Sequence, residues 1–456
     1  MKRFGWQSLV ISSLFAATLA AAQARPQYGD TLHVAMRTAP TTLHPADSTQ
    51  PDSFARRNLT LLMFETLLTT DSSGRIHPAL ARSWQAVAGN RRWEFRLRHD
   101  VSFHDGTALT AEIAAASLRA ANPSWNVSAA GDSVVIEREI ADLELPAELA
   151  LPRNAIAKSA PDGKPSGTGP FHIVDWQPGK KLSLAAEENY WDGRPFVDAI
   201  EIEMGRNYHD QSIALELGRA DLVEVAPEQA HRASMDGRRV SSSEPMELVA
   251  LLFTRDVVTP DEKLLRDALA LSVERASMRS VLLQGAGQPA AGILPDWMSG
   301  YGFVFPMETD LPRARHLREQ VRAVPTWTVA YDPSDSIARL LAERVALNAR
   351  DAGLSLQPTA GASADLRVVR IPLAAAEPWI ALANVAAAIG LPSPKNNGGS
   401  AEDLYSAEQG LLGTKRLIPL FHLPATYGAA ANLRDWSPRP DGSWNLADAC
   451  LGNEKQ

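Results

Sequence analysis

The chain has 456 residues, 45% of them hydrophobic and 21% charged, with a formal net charge of −8 at pH 7. That length carries enough apolar material for buried cores in roughly two to four domains of ordinary size. The acidic balance, with no continuous basic stripe to neutralise a run of phosphates, excludes a nucleic-acid partner.

Met1, Lys2 and Arg3 make a short basic start, and an apolar run from Leu9 to Ala22 follows. Ala22 and Ala24 then stand at the two small-residue positions that a signal peptidase reads, so residues 1–24 are expected to be a secretory signal cleaved near Ala24. The apolar run is too short for the roughly 20 residues a spanning helix needs. Loss of Lys2 and Arg3 would take the charge from −8 to −10. The one cysteine, Cys450, stands near the C-terminus, so no internal disulfide can form and no cysteine follows the signal to carry a lipid. The mature chain is therefore expected to be free in a periplasmic space, with Cys450 a small apolar side chain and not a reactive thiol.

Thr31–Met36 alternates polar and apolar residues as a half-buried strand does, and Leu59–Leu68 reads as an apolar helix. Trp93–Arg98 alternates strictly. Val101–Phe103 is expected to begin its partner strand, closed by a turn at His104, Asp105 and Gly106. Ala-rich sequence to Ala121 makes a short helix capped by Thr110. Phe171–Trp176 and Lys181–Ala185 flank Pro178 and Gly179, a hairpin signal. Val197–Met204 is a further strand, Gln211–Leu217 a helix stopped at Gly218, and Leu222–Val225 another strand. Thr259, Pro260, Asp261 and Glu262 form a capping box that opens one helix running toward Gly285. Strand Trp327–Tyr331, helix Asp335–Arg350 and strands Leu354–Gln357 and Leu366–Ile371 complete an α/β pattern. Segment 374–400 is the least readable. Mixed strands and helices without an internal repeat predict an α/β architecture in two lobes.

Five groups of residues, in this order, carry a resemblance. They are Leu32–Pro45; Pro78–Ala81, Ser83, Trp84, Trp93–Arg98 and Val101–Thr107; Gly167–Phe171 with Glu188–Trp191 and Gly193–Pro195; Arg266–Leu269 with Glu274 and Arg275; and Leu404, Tyr405, Glu408, Gln409 and Ile418–Leu420. In these the chain resembles bacterial extracellular solute-binding proteins of family 5, the oligopeptide-, dipeptide- and nickel-binding group. The residues themselves read as fold markers. Gly106 takes a turn conformation, and Gly167 and Gly169 allow close backbone approach. A phosphate cradle at that Gly-x-Gly is discounted, because Pro170 removes a donor and a strand follows instead of a helix.

The resemblance implies a periplasmic-binding-protein fold, class II-like, of two lobes joined by a hinge with an extra subdomain in the first lobe. Residues 25–58, 167–250 and 425–456 would form the hinge-proximal domain, 59–166 a small second domain, and 251–424 the opposing lobe. Hinge strands are expected near Leu248–Phe253 and Leu420–Tyr427. The function implied is the substrate-binding component of an ABC importer, a monomer that delivers a small-molecule or peptide solute to an inner-membrane permease. The alternative is a scaffold or sensor that has lost peptide binding.

For the site, the resemblance places Thr38, Ala39, Pro40 and Thr41, the loop after the first strand, against the ligand. Trp297 and Tyr427 are aromatic residues in loops near strand ends, where binding groups gather. Peptide-binding members carry an aromatic, Asp-containing stretch in the second lobe. The corresponding Pro372–Ala401 has Glu377 as its one acid before Ala401, so a neutral or anionic solute countered by Arg370 or Arg367 is an open reading. His99, His104 and Asp105 read as turn chemistry, and no His or Cys spacing marks a metal or cofactor site. Nucleophile-elbow, zinc-protease and Walker motifs are lacking, so no catalytic residue is assigned and a binder is expected instead of an enzyme.

Overall fold

The computed structural model describes residues 28–452 except 48–52, 72–73, 88, 161–162, 362, 374 and 397–398; the expected signal at 1–24 lies outside the described residues. One 11-stranded sheet runs through most of the molecule. Its path is Phe171–Gln177, Lys181–Ala186, Ala199–Glu203, Thr31–Ala35, Leu222–Glu224, Leu417–Ala429, Arg239–Phe253, Leu366–Pro372, Thr326–Ala330 and Ser355–Thr359, with Gln288–Pro289 pairing off the path. Thr31–Ala35 is parallel to both Ala199–Glu203 and Leu222–Glu224, and Thr326–Ala330 is parallel to its two neighbours. Each end of the sheet has its own core. Leu32, Phe171, Leu184 and Ile200 are buried at one end, and Leu269, Leu341, Val345 and Phe421 at the other.

The middle of this sheet is two long antiparallel strands, Arg239–Phe253 and Leu417–Ala429, shared by both ends. Their period-2 alternation is visible in what they bury: Val249, Leu251 and Phe253 enter one core, Leu248 and Ala250 the other. At the crossing, Pro245 stands opposite Pro424, with register irregularities on either side. Neither proline has an N–H to donate, so the ladder is cut where the strands pass from one lobe to the other.

The small second unit is a four-stranded antiparallel sheet in the order Ala81–Val87, Arg92–Leu97, Ser133–Glu137, Asn126–Ala130. Helix Ala111–Ala121 covers it, with Thr110 Oγ1 accepting from Ile113 N at 3.3 Å as the expected cap. The structure departs from expectation here. Residues 101–109 form only an isolated bridge, Ser102 to Ala108, and Arg92–Leu97 pairs instead with Ala81–Val87 and Ser133–Glu137. The first of those partners is mostly exposed, so no alternation announces it.

Two helices also shift. The one expected at Leu59–Leu68 spans Phe54–Met63, capped by Ser53 Oγ, while Leu68 begins a strand. Arg57 and Asn58 disguise its first turn because they are polar yet buried. The helix opened by Thr259 stops at Ser272, where Val273 turns extended, and Arg275–Val281 is a separate helix. The segment hard to read in sequence contains helix Pro378–Ala388, with Glu377 accepting from Ile380 N at 2.7 Å. Cys450 is buried, and its thiol faces Asp435. No helix of the described residues is long and apolar enough to cross a membrane.

Candidate functional site

The sequence motifs converge on a seam between the hinge-proximal and small units, where they do structural work. Gly167 and Gly169 pass so close to the preceding helix end that an added Cβ would lie 2.0 Å from Met63 O and 2.6 Å from Met63 C. Only glycine fits there. Thr168, between them, donates to Glu65 Oε2 at 2.8 Å, Tyr190 Oη donates to Glu65 Oε1 at 2.8 Å, and Trp191 Nε1 lies 3.0 Å from Oε2. His104 adds a backbone bond to Gly167 O at 2.9 Å, and its Nε2 lies 3.0 Å from Gly169 O. Burial, against the pull of these three donors, raises the Glu65 carboxyl to about 7. Gly106 has φ +82°, as the turn at Asp105 requires.

The motifs of the opposing lobe are structural too. Arg266 is 1% exposed, lies over the Phe253 ring at 3.9 Å and donates to Glu262 Oε1 at 2.6 Å and Lys415 O at 3.1 Å. Arg275 Nε donates to Pro419 O at 2.9 Å, fastening its helix to a crossing strand, and burial lowers the guanidinium to about 10. Glu408 Oε1 accepts from the backbone of Ile293 and Leu294.

A cleft of about 510 Å³ lies between these frameworks. The helix that begins at Phe54 supplies Phe54, Arg57 and Asn58, and the small unit supplies Pro78, Ala147 and Leu151. Ala375, Ala376 and Glu377 come from the opposing lobe, and Arg439, Asp441 and Trp444 from the C-terminal tail. The lobes touch along one edge of it. Arg57 Nη1 donates to Leu373 O at 2.8 Å, Ile380 packs with Ala147 and Leu151, and Asn396 donates to Glu144. Burial, then the neighbouring Glu144, lifts the Glu377 carboxyl to about 7.

A second, polar cavity of about 400 Å³ lies beside the crossing strands, with Arg37, Thr38, Tyr208 and Glu224 on one side and Asp335 and Arg370 on the other. Arg37 N donates to Glu224 at 2.6 Å. Arg370 Nε donates to Glu247 at 2.8 Å and Nη1 to Asp335 at 3.1 Å, while Asp335 also caps the helix Ser336–Asp351. Two carboxylates thus already neutralise Arg370.

Three of the sequence candidates, Thr38, Arg370 and Tyr427, line this cavity together, and Ala39, Pro40, Thr41 and Trp297 do not. Thr38 borders the polar cavity, Pro40 is buried with its carbonyl accepting from Gly179 N at 2.9 Å, and Ala39 and Thr41 are exposed. Trp297 is 38% exposed and donates from Nε1 to Pro245 O at 3.3 Å, at the strand crossing. Tyr427 is 3% exposed; its Oη donates to Gly442 O at 3.1 Å, and its ring meets those of Trp436 and Trp444 edge-on. Its burial raises the phenol. None of these seven residues lines the 510 Å³ cleft. The lining of that cleft is hard to read in sequence because its contributors are far apart in the chain, and those that stand in motifs, Pro78, Ala79, Pro170, Tyr190, Trp191, Gly193 and Arg194, read there as fold markers. The one local signal is the run Trp436–Trp444, which holds two Trp, two Pro and Arg439. Among the described residues no group of three or more His, Cys, Asp or Glu side chains is placed to hold a metal ion.

Two lobes joined by crossing strands, an added small unit and a cleft between them define a solute-binding protein of the periplasmic-binding-protein fold. The family model for "Bacterial extracellular solute-binding proteins, family 5 Middle" matches residues 75–370, and the chain belongs to that family. Among curated proteins it is similar to the nickel-binding protein NikA of Staphylococcus aureus, 28% identical over 247 residues that make up 51% of this chain and 50% of that one. The chain thus spans about half the length of that curated relative. Among solved structures, NikA of S. aureus in complex with Ni(L-His)2 superposes with a TM-score of 0.79 at 17% identity, covering 93% of this chain and 100% of that one. The periplasmic binding protein DppA of Helicobacter pylori, in complex with the peptide STSA, gives 0.78 at 16% identity, covering 94% and 99%. At such identities the two structures establish the shared fold.

Proposed function

We propose that this chain is the periplasmic substrate-binding component of an ABC importer, capturing one small solute in the cleft between its lobes and presenting the closed form to a membrane permease. The observation that carries this reading is the cleft of about 510 Å³, walled by both lobes and the tail. That volume falls within the roughly 300–1,000 Å³ typical of small-molecule sites. A scaffold or sensor that had lost its solute would be expected to have filled the space.

The residues suggest how closure works. The break at Pro245 and Pro424 lets the lobes rotate without tearing a continuous ladder, so the hinge is assigned to 243–247 and 424–425. The Arg57 bond to Leu373 O and the Trp297 bond to Pro245 O form on the closed side of that motion. A solute that touches both walls binds the closed form better and shifts the population toward it. Domain boundaries follow the hinge: 28–58, 167–245 and 425–452 with one lobe, 59–166 as its satellite, and 246–424 opposite.

Solution scattering tests the proposal. The radius of gyration is compared for the protein as isolated from its native envelope and after stripping by unfolding and refolding. The stripped protein is expected to be larger and to contract when the extract is returned. Identical radii in all three states would sink the capture reading.

A further inference from the structure

The cleft holds three arginines whose circumstances differ. Arg57 is engaged across the lobes with Leu373 O, and Arg194 donates to Glu188 at 2.7 Å and pairs with Asp198. Arg439 sits in the turn that its own backbone closes, accepting from Gly442 N at 2.9 Å and donating to Ser443 O at 3.0 Å. The turn is seated on the cleft's aromatic wall, since a Cβ on Gly442 would lie 3.0 Å from the Phe54 ring. Arg439 is partly buried and lines the cleft, and its guanidinium has no hydrogen bond, ion pair or ring contact among the described residues.

The neighbouring acids are occupied. Asp441 Oδ1 accepts from Ser443 N at 2.9 Å and from Ser443 Oγ at 2.6 Å. Glu377 caps its helix, and Glu65 takes its three donors. Asp192, the lining acid without such a partner, is exposed at the rim. A guanidinium carries five donors in a fixed fork, and with no acceptor of its own chain engaged those of Arg439 are available to an anion that enters the cleft. Burial also keeps Glu65 and Glu377 easy to protonate, so their repulsion of an anion is weakened near neutral pH.

We infer that the solute is a small organic acid whose carboxylate is received by Arg439, its apolar body lying against Phe54 and Trp444. Arg439 is thus the specificity-determining residue of this site. The inference rests on the cleft being the solute site. It differs from a counter-charge at Arg370, which Glu247 and Asp335 already hold.

The test is mass spectrometry of molecules released from the wild-type protein and from Arg439→Gln and Arg439→Lys, each purified from the native envelope, with thermal unfolding recorded for all three. A carboxylic acid should be released from wild type at near one per protein, fall roughly 10- to 100-fold in Arg439→Gln, and be partly retained by Arg439→Lys. Unfolding midpoints should stay together. The stripped proteins are also given matched acid and amide probes, benzoate with benzamide and N-acetylphenylalanine with its amide; acids should be favoured by wild type only. A neutral or cationic released molecule, equal acid in Arg439→Gln, or no acid preference when nothing is released would overturn the inference while leaving capture intact. Failure of the stripped protein to contract with its own extract would instead overturn the capture reading, and this inference with it.

Discussion

The Glu65 seam and the interlobe cleft are adjacent, and they are built on opposite principles. At the seam every polar atom of Glu65 is met by a neutral donor, and two glycines bring backbones into contact that no side chain would permit. In the cleft a guanidinium stands without a partner, and the strands beneath it lose their ladder at two facing prolines. The first region is finished and rigid; the second is left incomplete for something to complete. Motifs mark the finished region because its geometry admits few residue types.

The largest way to break this contrast is Glu65→Ala. It orphans the donors of Thr168, Tyr190 and Trp191 together and should cost about 3–5 kcal/mol in denaturant unfolding. A cost under about 1 kcal/mol would show that the seam is not a structural keystone. Gly169→Ala comes next. Its Cβ would meet Met63 C at 2.6 Å and Phe64 N at 2.9 Å, backbone atoms that cannot swing aside, for about 1–3 kcal/mol.

The pH dependence is smaller and has a definite sign. Burial raises the Glu65 carboxyl from 4.5 to about 7, so between those values the folded chain holds a proton that the unfolded chain has released. Stability should therefore fall as pH rises from 4.5 toward 7, the reverse of a salt-bridged carboxylate. Glu377 adds to the same slope. Glu65→Gln should flatten the profile in urea melts taken across that range; an unchanged slope would place the titration elsewhere. The smallest effect belongs to the hinge. Trp297→Phe removes the bond to Pro245 O and should shift the stripped protein toward the open form in scattering, with unfolding changed by no more than about 1 kcal/mol.

The same contrast governs how much was legible in the chain. Alternation in Arg92–Leu97 and Thr326–Ala330, the cap at Thr110 and the box at Thr259 follow from local chemistry, and the elements form where those signals stand. The hairpin Asn126–Glu137 and the exposed strand Ala81–Val87 were invisible because short or two-sided polar strands carry little periodicity. At the site, Thr38, Arg370 and Tyr427, all candidates from the sequence, line one cavity beside the crossing strands. Arg439 was not foreseen. Its role depends on the tail folding back over Phe54, a long-range contact that no local pattern encodes.

The most direct test of the whole account is calorimetric titration of the stripped protein with the molecules extracted from its native form, alongside Ala376→Trp. Ala376 lines the cleft from the opposing lobe, and an indole there would occupy the solute's space. The account predicts one binding event per chain in the wild type and none in Ala376→Trp with its fold intact. Undiminished binding by Ala376→Trp would place the solute elsewhere and contradict capture between the lobes.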